Sequence, residues 1–168
     1  IVLLHSDMDV PFSKEGTMPA YAKQMHKLIK RHEDTTVIWA HTGLGRVVHP
    51  HRSEGSKGDL QYNPGHLDLL EMTLEDPELK NLHYDISWDV VANYILATPE
   101  STKRAADLIN KYPDRFFFGT DVVAPKIETY YDVYNMYQPL WDLLTPEANE
   151  MIKLTNYEHL FDGAKAKI

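Results

Sequence analysis

Residues 116–121 read Phe116-Phe117-Phe118-Gly119-Thr120-Asp121: three aromatic side chains in a row, a glycine, then two polar residues. A run this short, apolar on both faces, fits a strand buried in a parallel sheet, since a strand with one solvated face would alternate. The same pattern recurs three times upstream. Ile1 to Leu4 is followed by His5-Ser6-Asp7, Thr36 to Ala40 by His41-Thr42-Gly43, and Leu82 to Ile86 by Ser87-Trp88-Asp89.

Amphipathic segments separate the runs. From Thr17 to His32, Tyr21, Met25, Leu28 and Ile29 form one helical stripe, and Leu67, Leu70 and Leu74 form a shorter one. Thr98-Pro99 and Thr145-Pro146 pair a capping hydroxyl with a proline at the first helical position, so each predicts a helix start. The order β-α-β-α-β-α-β-α predicts parallel strands joined by right-handed crossovers. Strand starts lie 35, 46 and 34 residues apart. A (β/α)8 barrel of about 250 residues needs roughly 31 per unit. An open doubly wound sheet would want about five strands and commonly a glycine-rich phosphate loop, which is missing here. The expected fold is therefore α/β, with residues 1–168 supplying the last four βα units of a single TIM-barrel domain. The first residue is Ile1, inside an apolar run, so the expectation is that the first half of the barrel lies upstream.

Composition narrows the function. The 168 residues are 43% hydrophobic and 25% charged, as in an ordinary globular domain. There are no cysteines, which excludes disulfides, thiolate metal sites and cysteine nucleophiles. A net charge of −8 argues against nucleic acid as a partner, and no apolar run is long enough to span a bilayer. The expected location is the cytoplasm, or the periplasm if a signal peptide precedes Ile1.

Parallel α/β proteins place their sites at the C-terminal ends of strands, and here those ends carry His5, His41, Asp85 with Ser87, and Asp121. Two imidazoles and a carboxylate suit a divalent ion such as zinc, whose bound water is a nucleophile at neutral pH. Taken singly, each residue has a plainer reading: a histidine hydrogen-bonded after a strand, or an aspartate capping a helix. The long connection from Gly43 to Gly65 reads either as a functional loop or as a solvated insertion.

The strings Val2-Leu3-Leu4-His5, Ile38-Trp39-Ala40-His41-Thr42-Gly43, Asn81-Leu82-His83-Tyr84-Asp85-Ile86-Ser87 and Arg115-Phe116-Phe117-Phe118-Gly119-Thr120-Asp121 resemble the last four strands of the amidohydrolase superfamily. The branch they look most like is the amidohydrolase-related one, which includes the aminocarboxymuconate semialdehyde decarboxylase-like enzymes. Thr155-Asn156-Tyr157-Glu158-His159-Leu160-Phe161 is similar to that branch's terminal Asn-Ala-x-x-Leu-Phe helix, with Tyr157 at the usual small residue. The resemblance implies a (β/α)8 barrel with one or two divalent metals, zinc first and manganese or iron as alternatives. It implies His5, His41 and Asp121 as metal ligands, His41 as the group that binds a second metal or polarises the substrate, and Asp121 as general acid/base.

The implied reaction is hydrolysis of a C–N or C–O bond in a small-molecule substrate. A decarboxylase (lyase) on the same site is the alternative, and a non-catalytic half-barrel that assembles with another half is a third reading. Arg46 and Trp88 are the candidate substrate contacts. The resemblance also implies a His-x-His pair on a first strand. The only such pair here is His49-Pro50-His51, and proline between the histidines argues against a central strand there. Tyr130, Tyr131, Tyr134 and Tyr137 share a helical spacing that suits either packing on the barrel or a homo-oligomer contact.

Overall fold

The computed structural model describes residues 1–7, 20–45, 66–123 and 127–163. They form a mixed α/β structure around a four-stranded sheet: β1 (Val2–Leu4), β2 (Val37–Trp39), β3 (Leu82–Asp85) and β4 (Phe116–Phe117). All neighbours are parallel and the strands lie in sequence order, β1-β2-β3-β4. The helices between them are α1 (Ala20–Arg31), α2 (His66–Glu75), α3 (Asp89–Ile95) and α4 (Pro99–Lys111). After β4 come α5 (Ile127–Met136), α6 (Gln138–Trp141) and α7 (Pro146–Glu150), the last running on through wide π-type turns at Met151–Thr155 and Glu158–Asp162. Among the described residues no helix is long and apolar enough to cross a membrane.

Two helix starts follow from local chemistry. Thr98 accepts from the backbone N–H of Ser101, whose hydroxyl in turn accepts from the Thr98 N–H, closing a reciprocal cap with Pro99 beside it. Thr145 accepts from the Ala148 N–H in the same way, ahead of Pro146. The stripe expected on α1 is displaced. Ala22, His26 and Ile29 are its buried residues, while Tyr21 and Leu28 are exposed. Half-buried Met25 packs against the core with Ile29, as the stripe expects, while Tyr21 and Leu28 flank an open groove beside Ser6. Of the four tyrosines, Tyr137 is buried, Tyr134 half-buried, and Tyr130 and Tyr131 exposed, so only the first two pack.

The core lies on one face of the sheet. Val37, Trp39, Leu82, Tyr84 and Phe116 meet the helices there, in one cluster with Ile29, Leu70, Ile95, Leu108 and Leu140. At a shared register Trp39, Tyr84 and Phe116 form an aromatic row, with ring centroids 6.4 and 5.9 Å apart across successive strands. Arg115 is buried beneath it. Its guanidinium donates to the carbonyls of Leu82 (2.5 Å) and Leu79 (2.6 Å), satisfying a charge that could not otherwise be buried.

The opposite face carries Leu3, Ile38, Asp85 and Phe117 and opens on a cavity of about 460 Å³, which Tyr157 and Phe161 also line. Four βα units alone would leave two unpaired sheet edges, and here the one at β4 is covered. On β4 the outward groups belong to Phe116 and Phe118, and the chain following α7 takes them. The Phe118 N–H donates to the Ile152 carbonyl (2.9 Å), Asn156 Nδ2 to the Phe116 and Pro113 carbonyls (2.8 Å each), and the Tyr157 hydroxyl to the Phe118 carbonyl (2.7 Å). Edge β1, by contrast, leaves Leu3 65% exposed.

Candidate functional site

Three turns at the C-terminal ends of the strands share an uncommon backbone. Among the described residues, the non-glycine positions with positive φ are His41 (55°), Thr42 (55°), Trp88 (86°) and Asp121 (53°). Each such residue costs about 1–3 kcal/mol, and strain of this kind gathers at functional sites. Here all four residues belong to the turns after β2, β3 and β4.

Those turns bring side chains together. His41 Nε2 lies 3.8 Å from Asp121 Oδ2. The His5 ring, one residue past β1, meets the His41 ring edge-on at 5.1 Å, and the Trp88 indole lies 5.1 Å from His41 on another side. Arg46, His49 and His51 fall outside the described residues.

Behind His41 is a polar chain whose protons can be assigned. Ser87 Oγ donates to Asp85 Oδ2 at 2.5 Å, and the Ser87 N–H donates to Asp85 Oδ1 at 2.8 Å. The hydroxyl has one proton, so its 3.0 Å contact with His41 Nδ1 makes Ser87 the acceptor of an Nδ1–H. In the neutral ring this fixes the tautomer, with the Nε2 lone pair on the side of Asp121. Burial pushes the Asp85 carboxyl above the usual range and Asp121 adds to the rise; the bonds from Ser87 and the nearby His41 oppose it. At 4% exposure Ser87 presents little of its hydroxyl to a substrate, and its proton goes to Asp85. Gly119 makes room for the arrangement: a Cβ there would stand 3.3 Å from Ser87 Cβ and 3.7 Å from Asp85 Oδ1. Asp85 and Ser87 were visible in the sequence as a polar strand end, but their partnership with His41 was not.

The geometry bears on the role expected of His41. A neutral imidazole protonated on Nδ1 cannot donate from Nε2, so polarising a substrate by hydrogen bond would require the imidazolium. Acting as a metal ligand or proton acceptor requires no further proton. A ring held from behind through its other nitrogen is the usual arrangement of a ligating histidine.

The donors thus fit a borderline divalent ion in kind, through His41 Nε2 and the Asp121 carboxylate, with His5 at the edge. In number they fall short: among the described residues no group of three or more such side chains is gathered closely enough to hold an ion.

A second histidine supports the site from behind. His66, the first residue of α2, is buried and its Nε2 lies 2.8 Å from Thr42 Oγ1. Burial lowers its pKa from the ordinary 6.5 to about 4. Between these values the unfolded chain binds a proton that the folded chain excludes. Stability present above pH 6.5 is therefore lost as the pH falls through that window, by about 3 kcal/mol below pH 4. Burial shifts His26 and His83 in the same direction. The urea midpoint is expected to drop between pH 7 and pH 4.5, and to drop less in His66→Gln. Equal drops in the two proteins would refute the assignment to His66.

Together these features define a parallel α/β structure with a strained, polar site at one end of its sheet. No protein-family model matches the sequence, and no curated protein does. Among solved structures, the chain is similar to the apo crystal structure of a protein from Agrobacterium tumefaciens, with a TM-score of 0.52 and 12% sequence identity. The match covers 95% of this chain and 49% of the other, so the chain spans about half the length of that neighbour. At this identity the likeness concerns the fold.

Proposed function

We propose that the chain is the C-terminal half of a (β/α)8 barrel, and that its site hydrolyses a C–N or C–O bond with the help of a divalent metal, zinc by preference. Strand order supports the architecture. Each crossover steps one strand in the same direction and the helices share one face, the winding of a closing barrel, whereas a doubly wound sheet reverses and is covered on both faces. The likeness to about half of a longer chain agrees with it. Closure on the β4 side requires Phe116 and Phe118 to exchange their bonds to Ile152, Asn156 and Tyr157 for bonds to a strand.

The observation that carries the chemistry is the His41–Asp121 pair, with His41 oriented by Ser87 and Asp85. Asp121 and His41 Nε2 would hold the ion, with His5 beside them and the remaining donors supplied by the other half. When bound, the metal supplies a water acidic enough to act as a nucleophile near neutral pH. Asp121, with its side chain 44% exposed, takes the proton from the attacking water and returns it to the leaving nitrogen or oxygen. Ser87 and Asp85 hold the His41 ring through the cycle, and Trp88 walls the mouth.

The test uses the full natural polypeptide, loaded with zinc, against a panel of amides, esters and carboxylates. Release of amine or alcohol, abolished by chelation and restored by zinc, is expected. Release of CO2 alone, or no turnover on any substrate, overturns the proposal.

A further inference from the structure

We infer that His66 is a positioning residue for His41, acting through Thr42 to hold the strained turn that aims the imidazole at Asp121. The inference rests on the reading of His41 as a site residue and adds a second, separate support for it.

The proton accounting is closed. Thr42 Oγ1 donates its single proton to the His41 carbonyl at 2.6 Å. Its 2.8 Å contact with His66 Nε2 must then run the other way, from an Nε2–H of His66 to the hydroxyl oxygen. His66 Nδ1 is left as a bare acceptor, with no partner among the described residues, and the Tyr94 ring stands edge-on 5.6 Å away.

The turn needs this clamp. His41 and Thr42 are consecutive at φ 55°, and a β-branched residue there is a true outlier. Without the donor from His66, the Thr42 oxygen is buried with one interaction fewer, and the turn loses the contact that opposes relaxation to negative φ. Such relaxation rotates the Cα–Cβ bond of His41 and swings Nε2 off Asp121. His41 is therefore fixed twice: its ring by Ser87 on the β3 turn, its backbone by His66 on α2.

Three variants separate this role from simple packing. His66→Leu removes the donor, His66→Gln keeps a donor at similar reach, and Thr42→Val removes the hydroxyl with little change of shape. The first readout is the ring signals of His41 in isotope-labelled protein with no metal added. The second is the affinity for zinc ion alone.

Leu and Val are expected to shift the His41 signals and weaken zinc binding about ten-fold, the size of effect seen when a ligand's supporting contact is lost. Gln is expected to stay within about three-fold of the natural protein, on the same scale. Thr42→Val keeps the test decisive should His66→Leu fail to fold. Unchanged His41 signals in Thr42→Val, or equal effects of Gln and Leu, overturn the inference. If the natural protein binds no zinc, the metal reading fails by itself, and the His41 signals alone decide the role of His66.

Discussion

Asp121→Asn is expected to lower kcat/KM of the zinc-loaded protein by about 10³-fold, the middle of the range for a lost general acid/base. Asparagine is the informative replacement. Asp121 sits at φ 53°, a conformation that asparagine adopts readily and that strains alanine. The change therefore removes charge and basicity while leaving the turn intact. The carboxylate also faces His41 Nε2 at 3.8 Å, so a fall in bound zinc is expected alongside the lost turnover. Elemental analysis and initial rates check the two effects separately. Natural turnover in the asparagine protein would remove Asp121 from the reaction.

The largest effect on stability is expected at Trp39. This side chain is fully buried at one end of the aromatic row, stacked on Tyr84 at 6.4 Å and met edge-on by His26 at 6.5 Å. Its Nε1–H donates to the Ser6 carbonyl at 2.8 Å, tying the end of β1 to β2. Trp39→Ala leaves a cavity and is expected to lose 3–5 kcal/mol, about as much as a marginal domain possesses. Trp39→Phe keeps most of the packing and loses the hydrogen bond, for about 1–2 kcal/mol. Urea unfolding of the two variants measures both. A loss below about 1 kcal/mol in the alanine protein, well under the usual range for a buried tryptophan, would mean that Trp39 is not in the core.

The same residues show what was legible in the sequence. Phe116–Phe117 was readable because burial on both faces leaves an unbroken apolar run, whereas Leu82–Asp85 alternates buried Leu82 and Tyr84 with half-buried His83 and Asp85; in both, the polar residue at the end marks where a site belongs. Thr98-Pro99 and Thr145-Pro146 were readable because a cap is local chemistry. What stayed hidden depends on register across long separations. Ser87 meets His41 over 46 residues, and only the pairing of β2 with β3 sets them side by side. The positive φ values of His41, Thr42 and Trp88 carried no signal, because glycine, the usual marker, stands at none of them. The α1 face was misread because small Ala22 and polar His26 face inward, where a hydrophobic stripe suggests larger apolar residues.

The unequal borders of the sheet also limit how copies of this chain can add to one another. Ribbon growth by strand addition needs two sticky sides, one to receive and one to offer, and the row formed by Ile152, Asn156 and Tyr157 already closes off the second. Any strand that joins the sheet beside β4 must therefore first displace that row, so the C-terminal helical turns guard this border against stray partners.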